Sequence, residues 1–322
     1  MTARLPLSFA CVAVVAMRVA AQPDPFLFLH PAIHFSDDDT RELRERGIVA
    51  HILPSEGHEL ALMVVTTVHA GPDTFAASVR QIAALETNAL VPEVGRFSAR
   101  PRIEDLQGLT LNDADIEEIR SCRPSHCALK LQPAELTRLQ HAASADTMFR
   151  QILVERAATY LHRGAAHDPP FTLLLHHAPY VESRLPDLAN YLARYPMARA
   201  AGVESFLYWS KANYASKPMI TISHVTLVTR LDGADAPEAL VVSREIFSSR
   251  YTSGSLVTTL LFRNPESPSR RYLVYINRTS IDALNGLLRP FIEHRVKSQA
   301  ARLFADRRDH IERTVAARRT VQ

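Results

Sequence analysis

SFLYWS (205–210), MITISHVTLVTR (219–230), ALVVSREIFSSRY (239–251), SLVTTLLFR (255–263) and YLVYINR (272–278) are five strand-like runs that follow one another closely. They are rich in β-branched and aromatic residues, and Lys217-Pro218, Asp232-Gly233, Thr252-Ser253-Gly254 and the PESPS stretch at 265–269 separate them. One long amphipathic helix comes next, from about Arg289 to Ala317. Pro290 suits its first turn, and Phe291, Val296, Ala300, Leu303 and Phe304 recur on one side. The order predicts an α+β fold, a curved antiparallel sheet closed by a long C-terminal helix. A sheet under one helix is a common way to enclose a cavity, so the stretch points at ligand binding without naming a ligand.

Upstream, Ser36 to Gly47 reads as a short helix. Ser36 is its N-cap, Asp37 to Asp39 fill the turn that the helix dipole makes favourable for anions, and Gly47 ends it. Ile48 to Leu53 and Leu60 to His69 form a predicted hairpin, followed by an amphipathic helix from Thr74 to about Asn88. Val94 to Ser98 is extended. Asn112 to Arg120 and Pro133 to Ala142 are short helices, with a brief strand at Cys127 to Leu131 between them. Asp146 to Gly164 is a longer helix. Phe171 to Leu175 is a strand-like run, and a helix spans about Leu185 to Tyr195.

Residues 1–21 read as a signal peptide. Arg4 supplies a positive start, Leu5 to Met17 is an apolar run, and Val19-Ala20-Ala21 offers small residues before Gln22. The run is too short for a spanning helix, which needs roughly 20 residues. Export to the periplasm or the extracellular space follows. Removing residues 1–21 takes Arg4 and Arg18 with it, so a formal net charge of +3 falls to +1. That balance excludes a general nucleic-acid binder. Cys122 and Cys127 are then the two remaining cysteines, and an even count in an oxidising compartment favours a disulfide.

Signatures of catalysis are missing. Neither a Gly-x-Ser-x-Gly elbow nor a Ser-x-x-Lys, P-loop or dinucleotide fingerprint occurs, so no catalytic residue and no cofactor are assigned. The fourteen histidines include His30 and His34, four apart but flanking Pro31 in an N-terminal arm, as well as His176, His177 and His224; no third ligand sits at a telling distance, and no metal site is assigned. The C-terminal strands carry more information. Tyr208, Trp209, His224, Tyr251, Tyr275 and Arg278 are the candidate ligand-binding residues, because apolar walls with a few oriented polar groups make a small-molecule pocket. The same aromatics would also fill an ordinary core. Arg244, Arg250 and Arg278 could grip an anionic headgroup or pair with Glu204 or Glu245. Between Arg289 and Arg319 nine Arg or Lys face four Asp or Glu, which suits either a solvated helix face or contact with an anionic membrane surface.

The strand at Leu62 to His69, the helix after it and the Val-Pro-Glu-Val-Gly-Arg-Phe run at 91–97 resemble the opening of START-like helix-grip domains. The strands and helix from Val203 to Phe304 resemble their second half. The resemblance implies a single domain over 22–322, with 99–200 as a mostly helical insertion carrying the cysteine pair. GRFS (95–98), EDLQGLTL (104–111), CRPSHCALKL (122–131), ESFLYWSK (204–211) and YINR (275–278) resemble a group of uncharacterised exported bacterial proteins. That likeness implies compartment and fold, not activity. The reading is thus an exported, non-catalytic protein that binds an apolar or amphipathic, lipid-like molecule in a sheet–helix cavity. The alternatives are an envelope module with a filled core that docks a protein or a membrane, and a hydrolase with an unrecognised site.

Overall fold

The computed structural model describes residues 24–123, 127–164, 178–233, 235–284 and 286–319. The expected signal peptide, the run Phe171 to Leu175, and His176 and His177 lie outside the described residues. The strands are β1 (Ile48–Leu53), β2 (Glu59–Val68), β3 (Glu93–Arg96), β4 (Val203–Ala212), β5 (Met219–Thr229), β6 (Ala239–Ser248), β7 (Thr252–Arg263) and β8 (Arg271–Ile281). They form one antiparallel sheet in the order β1-β2-β8-β7-β6-β5-β4-β3. The sheet is open, with β1 and β3 at its edges. The upstream hairpin therefore adds to the C-terminal strands through β2 and β8, and among the described residues the chain between them supplies β3.

The helices are α1 (Asp37–Arg46), α2 (Pro72–Arg80), α3 (Ile82–Glu86), α4 (Asp113–Ser121), α5 (Pro133–His141), α6 (Ala145–Arg163), α7 (Pro179–Arg184), α8 (Pro186–Arg194) and α9 (Arg289–Arg319). Ser36 caps α1 through its hydroxyl and Asp39, and Gly47 closes it in the left-handed conformation at φ 73°. Strand alternation sends Leu62, Val64, Val225, Leu227, Val241, Leu261 and Leu273 to one face, where α2, α3 and α9 cover them. The opposite face buries Met63, Leu240, Leu260 and Val274 under the N-terminal arm, α7 and α8. Farther along that face, Trp209, Ile222 and Phe247 pack under α4 to α6. Three layers result, with the sheet in the middle.

Three local expectations are corrected. The helix expected from Thr74 to Asn88 breaks at Gln81, which leaves helical geometry at ψ 48°. Both halves pack on α9, but α2 also meets β5 and β6 while α3 meets β3. Cys127 to Leu131 is not a strand; it touches the sheet through a single ladder-like bond, Lys130 N–H to the Ser249 carbonyl at 2.9 Å. The third run stops at Ser248, because the Ser248 hydroxyl bonds the Arg250 carbonyl at 2.8 Å and Tyr251 turns the chain at φ 66°. Cys122 and Cys127 are bonded, with Cα atoms 4.6 Å apart, and pin the end of α4.

Candidate functional site

The cross-strand register on the α9 face sets up a polarity gradient. Ala239, Leu261 and Leu273 form an apolar row across β6, β7 and β8. The next row is Val241, Thr259 and Tyr275, and the one after it Val225, Ser243, Val257 and Asn277. Beyond these the pairs are Tyr208 with Ser223, Ser223 with Glu245, and Ser255 with Thr279. Polarity thus rises in steps of two residues along β5, β6 and β8. The polar end is internally bonded: Ser255 lies 2.9 Å from Thr279, and Thr279 donates to Asn277 at 2.8 Å.

A cavity lies between this face and the helices above it. Phe75, Val79, Ile82 and Leu85 roof it from α2 and α3, and Phe304 and Ile311 from α9. Tyr208, Ser243, Thr259 and Tyr275 rise from the sheet beneath. The void accommodates the centres of water-sized molecules over about 60 Å³. A single water needs roughly 10–15 Å³ on that measure, so the space suits a few waters or one short apolar group.

Glu86 and Arg307 form an ion pair in the lining. Their side chains stay 16% and 25% exposed, which puts the pair at the boundary between cavity and solvent. The Arg307 guanidinium also stands 5.2 Å above the Tyr275 ring, which in turn packs 5.2 Å from Phe304. Burial opposes the Arg307 charge, but the Glu86 carboxylate and the phenols of Tyr275 and Tyr208 more than offset it, so its pKa is raised. Burial likewise pushes the Tyr208 and Tyr275 phenols up, and both stay protonated donors at neutral pH.

Of the six sequence-predicted residues, Tyr208 and Tyr275 line the cavity. Trp209 faces the other way, 1% exposed, its indole N–H donating to the Asp105 carbonyl at 2.8 Å. Arg278 also points to the opposite face and pairs with Glu59 at 3.2 Å. Tyr251 sits in the β6–β7 turn, where its hydroxyl accepts from the Lys217 N–H at 3.2 Å. Arg250 pairs with Glu118, and Glu204 with Arg80, so neither of the expected Arg partners Glu204 and Glu245 is used.

His224 belongs to a separate polar knot on the opposite face. Its Nδ1 lies 2.8 Å from the Tyr160 hydroxyl, which also accepts from Arg244, and its ring packs 4.3 Å from Tyr195. Burial first, and Arg244 second, pull its pKa down to about 3, so the imidazole is neutral at physiological pH and accepts from Tyr160. Its side chain is 1% exposed. Among the described residues no group of three or more His, Cys, Asp or Glu side chains could hold a metal ion, and no helix is long and apolar enough to cross a membrane.

The residues that sequence reasoning missed are Glu86 and Arg307. Both had a signal. Arg307 sits three residues after Phe304 and four before Ile311, and Glu86 four after Ile82, so each occupies the apolar side of its helix. A charge there is either an error of pattern or a group meant for a cavity.

Among solved structures the chain is similar to TTHA0849 from Thermus thermophilus, with 14% sequence identity and a TM-score of 0.26. The match covers 46% of this chain and 91% of that one. No family model matches the chain, and no curated protein does.

Proposed function

We propose that this chain is an exported, non-catalytic binder of a small amphipathic molecule, held in the cavity between the sheet and α9. The observation that carries the reading is the graded lining. An apolar group would enter among Phe75, Val79, Leu273 and Phe304, while its polar end meets Tyr208, Ser243, Tyr275 and the Glu86–Arg307 pair. Apolar burial would drive uptake, and the two phenols with the guanidinium would fix orientation. The volume favours a short apolar group or the end of a longer, lipid-like chain whose remainder stays at the polar mouth. The placement of α9 over β1 and β2 supports reading the sheet and helix as a START-like helix grip. The bonded cysteine pair and the leader-like first 21 residues support export.

Native mass spectrometry of the protein recovered from its own envelope tests the reading. A bound molecule of defined mass is expected, and it should be retained less well when Tyr208 and Tyr275 are both changed to Phe. Repeated recovery without any bound mass, or retention indifferent to both substitutions, would favour the filled-core alternative.

A further inference from the structure

We infer that the start of α9 is a docking tip for an anionic lipid surface. Leu287 is 94% exposed and Phe291 66% exposed, which makes them two of the most solvent-facing large apolar side chains described. Their position is fixed rather than loose. Arg289 donates to the Gly57 carbonyl at 2.7 Å and to the Ser55 hydroxyl at 3.3 Å, and pairs with Glu293 at 3.0 Å. That anchor ties the helix start to the β1–β2 turn and leaves Phe291 on the outer side. It also neutralises Glu293, the sole carboxylate between residues 289 and 302.

The exposed side behind the apolar tip is cationic. Phe291, Arg295, Ser298 and Arg302 follow one another at steps of four, three and four, so they share one helix face, and all four are exposed. His294 flanks that face and is exposed as well, whereas Lys297, also exposed, lies farther round the helix. Apolar side chains at the tip with cations one and two turns behind match a lipid interface: the former enter the acyl boundary and the latter meet phosphates. A second copy of the chain fits less well. A twofold contact through this patch would set Arg295 and Arg302 against their own copies. The tip also lies at the polar end of the sheet, where the Ile281 N–H bonds the His58 carbonyl at 2.8 Å. Docking would therefore turn that end toward the lipid, although the inference stands whether or not the cavity is filled.

The test uses the chain from Gln22 onward, which contains every described residue and lacks the apolar run at Leu5 to Met17. It is floated with vesicles of phosphatidylcholine alone and of phosphatidylcholine mixed with phosphatidylglycerol. Binding is expected on the mixed vesicles, weaker on neutral ones, and reduced by high salt. Leu287→Asp with Phe291→Asp, and separately Arg295→Glu with Arg302→Glu, should each weaken it at least about tenfold. All four positions are exposed, so melting temperatures should be unchanged. Absence of binding to the mixed vesicles, or binding indifferent to both pairs of substitutions, overturns the inference. So does a dimer in light scattering that the Leu287 and Phe291 substitutions dissociate, because the patch would then be an interface between copies.

Discussion

Glu245 is a carboxyl group almost shut off from water, 6% exposed, with the Thr252 hydroxyl donating to it at 2.8 Å. Burial pushes its pKa from 4.5 up to about 7; Thr252 and the Lys130 cation act against this, and Asp282 adds to it. Between those two values the folded chain holds a proton that the unfolded chain has released. Stability attributable to Glu245 is therefore fully present below pH 4.5, falls as pH rises toward 7, and is level above it. His224 works in the other direction. With its pKa drawn from 6.5 down to about 3, it costs stability as pH falls through that interval. The two slopes oppose each other between 4.5 and 6.5, which flattens the profile of the intact protein. In Glu245→Gln the Glu245 slope is gone while that of His224 remains. The variant should gain on the wild type as pH rises across the window, by a total on the order of 3 kcal/mol. Urea melts of both proteins at pH 4.5, 6 and 7.5 measure it, on the scale set by the shift of Glu245 from 4.5 to about 7. A difference that does not change with pH would mean that Glu245 titrates as an ordinary surface carboxylate.

β3 is held to the sheet by an unusually close backbone approach. Gly95 pairs with Trp209, and a Cβ at Gly95 would lie 2.5 Å from the indole ring. The indole cannot retreat, because its N–H is committed to Asp105 and it is packed under α4 to α6. Gly95→Ala should thus cost about 1–3 kcal/mol through overpacking. Faster hydrogen exchange confined to β3 and its β4 partner residues would locate the damage, and an unaltered melting temperature would contradict it. Much of this level was legible beforehand. The five C-terminal strands, the upstream hairpin and α9 all follow from alternation, turn residues and helical spacing. Their order was not, since pairing β2 with β8 joins segments about two hundred residues apart and leaves no local trace. Nor was the break at Gln81, which is decided by what each half of the helix packs on. The site was legible in part. Tyr208 and Tyr275 are aromatics on strands, but their sequence neighbours Trp209 and Arg278 stand an odd number of residues away and must face the other side. The period of two already held that distinction.

At the level of the whole molecule, the two faces of the sheet have been put to different uses. The face under the N-terminal arm and α4 to α8 carries buried polar contacts, Tyr160 with His224 and Arg244 and Tyr180 with Thr258 at 2.5 Å, while His224 Nε2 and Arg244 Nε find no hydrogen-bond partner among the described residues. The α9 face keeps a void and puts an ion pair at its edge. Stability and binding should therefore be separable. Val241 lines the void, is 8% exposed and projects from near the start of β6. Val241→Phe would fill space that no side chain now occupies, and the added buried surface should stabilise the empty protein by about 1 kcal/mol if the ring fits without strain. The same ring would occupy the volume in which a ligand is proposed to sit. Opposite signs are therefore expected from one substitution: a higher melting temperature for ligand-free protein, and loss of the bound mass in native mass spectrometry. The order of the two melting curves should also reverse once ligand is supplied, since only the wild type gains from binding. A variant that is more stable and still carries the ligand would place the binding site elsewhere. One that is less stable would show that the void is already matched to its walls and has no room for a ring.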